Sequence, residues 1–176
     1  LMKSILSFLM LLLIAVPDFA LPPDNHQLAV TITKSTIEVR DTLTLHPDPA
    51  KDSFVLNIHA DYQVISAEIL GKKIAGLKIL PRKKTSMLDG VPIRQFDVGK
   101  PRNLPWPRDL LLSFHYKGPV RNSEKEAGIQ LSGADYYYPA VDEPIQLVTF
   151  TLTVSAPVGW TVVSQGQLRP DKQSWV

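Results

Sequence analysis

Apolar and polar residues alternate at every second position through most of this chain, and that period leaves little room for anything but β-structure. Leu28-Ala-Val-Thr-Ile-Thr33 alternates, as does Thr36-Ile-Glu-Val-Arg-Asp-Thr-Leu-Thr-Leu45. A period of two sorts side chains onto the two faces of an extended strand, whereas a helix needs a period of 3.6. The same reading predicts strands at 54–59, 64–70, 73–80, 93–98, 110–116, 147–154 and 160–163. Residues 110–116 and 147–154 should be mainly antiparallel strands with one buried face each, Phe150, Leu152 and Val154 sharing a face. Fifteen prolines against nine glycines suit short strands with stiff connections far better than helices. Gly71 and Asp89-Gly90 mark turns, and 119–135 reads as a surface loop with one helical turn at 123–127. The expected class is all-β, built as a β-sandwich or saddle-shaped antiparallel sheets.

With 176 residues, 44% hydrophobic and 20% charged, the chain has a globular composition and can bury a real core. A net charge of +2 provides no cationic field for nucleic acid. Cysteine is absent, which excludes disulfides, thiolate zinc sites and cysteine nucleophiles. The first twenty residues read as a leader. Leu1-Met2-Lys3 is a short basic start, and residues 5–16 form an apolar run ended by Pro17-Asp18, with Ala20 as the small residue before a cut. Twelve helical residues span about 18 Å, short of the roughly 30 Å hydrocarbon core. The expected organisation is therefore a signal peptide at 1–20 and a β-domain at 21–176, exported to the periplasm or beyond a bacterial envelope. No membrane span is expected to persist after cleavage. The apolar end at Trp175-Val176 suggests a domain cut before its natural boundary.

Chemistry-bearing motifs are sparse. His26, His46, His59 and His115 have no helical i, i+4 pairing for a metal, and no Gly-x-Ser-x-Gly elbow or phosphate loop occurs. Asp142-Glu143 cannot act together from one strand, since neighbours point to opposite faces. A structural role before Pro144 suits them better. Arg82-Lys83-Lys84 reads as a solvated hairpin tip. Tyr136-Tyr137-Tyr138-Pro139 offers flat apolar rings with polar tips, suited to glycan or peptide contact or to packing of a proline-terminated strand.

From Tyr138 to Gly166 the sequence resembles the N-terminal domain of aminopeptidase N-like gluzincin metallopeptidases. The resemblance rests on Tyr138-Pro139-Ala140-Val141-Asp142-Glu143-Pro144, then Phe150-Thr-Leu-Thr-Val154, Pro157-Val158-Gly159-Trp160 and Val162-Val163-Ser164-Gln165-Gly166. Many members carry Phe, Cys and Phe or Trp where this chain has Tyr138, Ala140 and Val141. Upstream, Leu112-Ser-Phe-His-Tyr-Lys-Gly-Pro119 looks like the strand that closes the first half of such a domain. The resemblance implies a saddle-shaped β-domain that walls the substrate cavity of a following catalytic domain. That later domain would carry Gly-x-Met-Glu-Asn and His-Glu-x-x-His, holding zinc through two imidazoles and a carboxylate. None of those motifs occurs in this chain, so no catalytic or metal-ligating residue is expected in it, and zinc is implied only for the intact protein. The implied partners are that catalytic domain and a peptide substrate. By the same resemblance Gln130 would meet the substrate's amino terminus. A truncated copy should expose an apolar patch near Tyr136–Tyr138, Val141 and Trp175-Val176. A free-standing β-sandwich binding glycan or peptide at 136–138 is the alternative, and a peptidase-like scaffold without catalytic motifs is a third reading.

Overall fold

The computed structural model describes residues 23–71, 76–120, 131, 136–142, 148–164, 167 and 174–175. The expected leader, the helical turn at 123–127 and Gln130 all lie outside them. Among the described residues no helix is long and apolar enough to cross a membrane.

Among the described residues the alternation becomes eleven strands: β1 Asp24–Ile32, β2 Thr36–Leu45, β3 Ser53–His59, β4 Gln63–Ile69, β5 Lys78–Pro81, β6 Ser86–Leu88, β7 Val91–Gly99, β8 Leu110–Pro119, β9 Ala140–Val141, β10 Val148–Ser155 and β11 Ser174–Trp175. They form a six-stranded sheet, β11-β10-β1-β2-β8-β4, and a second sheet, β5-β7-β3-β9, with β6 also paired to β7. Among the described residues all pairings are antiparallel but one. β10 runs parallel to β1, from Asp24 opposite Val148 to Thr31 opposite Ser155. The expectation of an antiparallel setting for 147–154 is corrected there, because a strand's periodicity carries no information about its neighbour's direction.

β2 shows why these segments become strands. Ile37, Val39, Leu43 and Leu45 are buried, while Thr36 and Arg40 are exposed and Glu38, Thr42 and Thr44 half-exposed. The partner residues on β8, Leu110, Leu112, Phe114 and Tyr116, are buried too. From the second sheet Leu56, Ile58, Phe96 and Val98 close the core. Phe96 meets Phe114 edge to face with centroids 5.6 Å apart, a geometry that ring quadrupoles favour. On β10, Leu152 and Val154 are buried and Phe150 half-buried on the shared face.

Three local differences from the expected strands have physical reasons. Residues 160–163 form no strand. Gly159 turns the chain at φ 86°, Trp160 N–H donates to the Pro157 carbonyl (3.1 Å), and Val158 and Val163 stand in solvent. β6 is an added strand, joined to β7 through Asp89 (φ 50°) and Gly90 (φ 81°), the left-handed pair that a two-residue hairpin requires. Within 73–80 the described strand begins at Lys78.

Candidate functional site

Two stripes of the first sheet carry polar residues where the period demands apolar ones. Asp24 and His26 share the buried face of β1 with Leu28 and Val30, and Asp41 shares that of β2 with Ile37, Val39, Leu43 and Leu45. His26 Nδ1 lies 2.7 Å from Asp41 Oδ2, and both side chains are almost wholly buried. A carboxylate only accepts hydrogen bonds, which assigns the proton to Nδ1. Burial pushes the Asp41 carboxyl above its ordinary range, against the opposing hydrogen bond and charge of His26. Its Oδ1 is buried with no hydrogen-bond partner among the described residues.

The tyrosine run is placed over this pair by β3. His59 N–H donates to the Tyr136 carbonyl (2.9 Å), β9 pairs Ala140 with Asn57 and Val141 with Leu56, and Asp142 N–H donates to the Val55 carbonyl (2.9 Å). Tyr137 is buried and its carbonyl accepts the Tyr116 hydroxyl at 2.8 Å. Tyr138 sets its ring edge-on to His26 at 4.8 Å and to Tyr137 at 4.9 Å. Burial first, then neighbouring phenols and the Asp41 charge, pushes Tyr137 up to about 12. Tyr116 is likewise raised, by burial and then by Asp41. The run is thus core and rim packing rather than three exposed stacking rings. Tyr136, held at φ 50°, and Tyr138 are half-buried on either side of Tyr137.

Between the rim and the pair lies a cleft of about 170 Å³. Asp24 and His26 line it, with Tyr136 and Tyr138, and Pro139 to Val141 and Val148 supply apolar walls. Asp24 Oδ1 accepts the His46 backbone N–H at 3.2 Å. His46 Nδ1 lies 3.7 Å from Asp24 Oδ1, and its Nε2 lies 3.3 Å from Asp109 Oδ1.

A second polar cluster occupies the second sheet. Asn57 and Gln95 are buried, Gln95 Nε2 donates to Asn57 Oδ1 at 3.0 Å, and Gln95 Oε1 accepts from Arg82 at 2.8 Å. Arg82 also binds Asp97 through Nε and Nη2, at 3.0 and 2.7 Å. That fork holds the Asp97 carboxyl below its ordinary range. Arg82 is therefore a bound residue and not simply part of a solvated tip.

Zinc does not fit the described residues, since no three His, Asp or Glu side chains are arranged to hold a metal. His46 illustrates the reason: Asp24 and Asp109 approach opposite ring nitrogens, so the three groups cannot converge on one ion. His115 Nε2 lies 2.7 Å from Glu38 Oε1, away from the cleft pair, and His59 Nδ1 accepts from the Asp61 N–H at 3.0 Å. Asp142 is exposed, and Glu143 lies outside the described residues. The His26–Asp41 pair was missed by motif reasoning, although a His and an Asp on otherwise apolar stripes are a signal that alternation exposes.

Comparison with known proteins places the fold. No family model matches the sequence, and no curated protein sequence matches it. Among solved structures, the M1 zinc metallopeptidase from Deinococcus radiodurans superposes with a TM-score of 0.58 at 18% identity, over 86% of this chain and 37% of that one. Yeast leukotriene A4 hydrolase in complex with bestatin gives 0.54 at 20% identity, over 86% of this chain and 25% of that one. A native form of the Saccharomyces cerevisiae enzyme gives 0.51 at 20%, over 89% and 26%. The chain thus spans roughly a quarter to just over a third of these proteins' lengths. Its all-β fold is that of the β-rich N-terminal domain of M1 peptidases.

Proposed function

We propose that this chain is the exported N-terminal, non-catalytic β-domain of an aminopeptidase-like zinc metallopeptidase. It would scaffold and wall the substrate cavity of a catalytic domain that this sequence does not contain. The observation that carries the reading is the superposition on part of two different peptidases, over 86% of this chain in each. The sequence string from Tyr138 to Gly166 supports it independently. The exposed apolar residues support it as well: Val158 (105% exposed), Trp160 and Val163 follow β10 as an uncovered segment that a further domain would cover. They differ in place from the patch expected at 136–138 and Val141, where Tyr137 is buried and its neighbours are half-buried. Zinc belongs, on this reading, to the following domain, and the peptide substrate to the cavity between the two. Residues 1–20 would direct export and be removed.

The test is to express the coding sequence extended beyond Val176. The longer protein should contain one zinc per chain and release an aminoacyl reporter in a chelator-sensitive way, while residues 21–176 alone should not. Sustained turnover by 21–176 with stoichiometric zinc would defeat the proposal. A stop codon within a few residues of Val176, with glycan or peptide binding by a cooperatively melting monomer, would establish the free-standing module instead.

A further inference from the structure

The second sheet ends on an interrupted edge. β5 and β6 lie on the same side of β7, β5 against Phe96–Gly99 and β6 against Val91–Ile93. Residues 82–85 bulge out between them, and the Arg82 N–H returns to the ladder at the Gln95 carbonyl (2.9 Å). A charged bulge blunts an edge against pairing with another chain. The charge here exceeds that need. Between Glu68 and Asp89 the sequence carries Lys72, Lys73, Lys78, Arg82, Lys83 and Lys84 and no acid. The remaining Lys and Arg, of nineteen in all, are outnumbered by the seventeen Asp and Glu, so the protein's positive charge is concentrated in this stretch. Lys72 and Lys73 lie outside the described residues. Arg82 is neutralised by the Asp97 fork, and Asp142 adds to the same field. Lys78, Lys83 and Lys84 are exposed and have no ion-pair partner among the described residues.

Two apolar side chains flank the bulge. Leu80 is 55% exposed and Met87 66% exposed. Leu80 stands opposite Asp97 and Met87 opposite Pro92, which puts them on opposite faces of the sheet. A flat surface that touches both must therefore meet the edge itself, where the lysine bulge lies. We propose that this edge docks on an anionic lipid surface. Lys78, Lys83 and Lys84 meet the headgroup phosphates, and Leu80 and Met87 enter the boundary with the acyl chains. A nucleic acid would attract the lysines but offers these two aliphatic residues little, since neither is an aromatic that stacks on a base. The inference stands on this edge alone and is independent of the peptidase reading.

The full chain is sedimented with vesicles of phosphatidylcholine, and with vesicles in which about a third of the lipid is phosphatidylglycerol. Tighter binding to the anionic vesicles is expected, with the difference fading as salt is raised. Lys83→Gln combined with Lys84→Gln should weaken binding to the anionic vesicles about thirtyfold, roughly a factor of five per lysine. Met87→Ser should weaken it about fivefold. Both variants alter exposed side chains and leave the core intact. Equal binding to the two kinds of vesicle, or affinity unchanged in both variants, would overturn the proposal. Duplex DNA bound as tightly as the anionic vesicles, with Met87→Ser affecting neither, would overturn it in favour of a general polyanion site.

Discussion

Two carboxylates in this protein each face a basic partner, yet their acidities move in opposite directions. Asp41, 1% exposed, is paired with His26 at 2.7 Å, and its carboxyl is raised. Asp97, with a side chain 44% exposed, is forked by Arg82 at 2.7 Å, and its carboxyl is lowered. Partner distance is the same, so the difference comes from which effect leads: desolvation at Asp41, and the guanidinium fork at Asp97. In the first sheet the charge is desolvated and one oxygen lacks a partner among the described residues. In the second, solvent and a guanidinium share the carboxylate, and the buried amides of Asn57 and Gln95 carry the polarity inward without a formal charge. The first arrangement is costly and directional; the second is inexpensive and structural.

The largest effect should come from breaking the buried pair. His26→Ala leaves Asp41 without its counter-group and should cost about 3–5 kcal/mol, read from urea midpoints at neutral pH. The loss should narrow in mild acid, where Asp41 takes up a proton. A loss equal at both pH values would mean that His26 contributes packing alone.

Gly118→Ala probes the floor under the same cluster. A Cβ there would run into the Tyr62 ring, which is buried and packs on Tyr116 at 5.6 Å. We expect about 1–3 kcal/mol of destabilisation by thermal melting, from a side chain forced off its rotamer.

The pH dependence of stability separates the two carboxylates. Asp97 is depressed below 3.8, so its contribution is present above that value and disappears as pH falls through the lowered one. Asp41 is raised above 3.8, so the fold gains stability as pH falls through the raised value toward 3.8. Asp41→Asn should flatten the slope on the less acidic side of the profile, and Asp97→Asn the slope at its acid end. Unchanged slopes in the two variants would remove the contrast.

Arg82→Ala should have the smallest effect, because its pair with Asp97 is open to solvent and screened. Gln95 Oε1 still accepts from Ser86 at 3.2 Å after Arg82 is gone. A midpoint shift matching that of His26→Ala would show that the second cluster is as consequential as the first.

Much of this could be read from the residues. β2 runs over the same ten residues that alternation indicated, and β8 and β10 differ from their expected spans only at the ends. Strand direction could not be read, since a parallel and an antiparallel neighbour ask the same parity of Leu152 and Val154. Ser86-Met87-Leu88 was too short to show a period, and only its pairing with β7 makes it a strand. Trp160–Val163 carries strand-forming residues but no partner among the described residues, and propensity without a ladder does not make a strand. The candidate cleft was half legible. The tyrosine run stood out, but its floor depends on Asp24, His26 and Asp41 meeting across two strands, and no spacing along the chain encodes that meeting.

The parallel union of β1 and β10 also sets an order of assembly on the nascent chain. β1 and β2 can zip together as soon as residue 45 emerges, because their turn is local. The other side of β1 must wait for a partner such as Thr149, 124 residues beyond Asn25. Closing a loop of that length costs about 4 kcal/mol of chain entropy by the logarithmic law, more than a few local contacts return. Until β10 arrives, the amino-terminal strand offers a bare row of amides and carbonyls to any passing chain. Synthesis that stalls before residue 148 should therefore yield a species that pairs with its neighbours instead of itself.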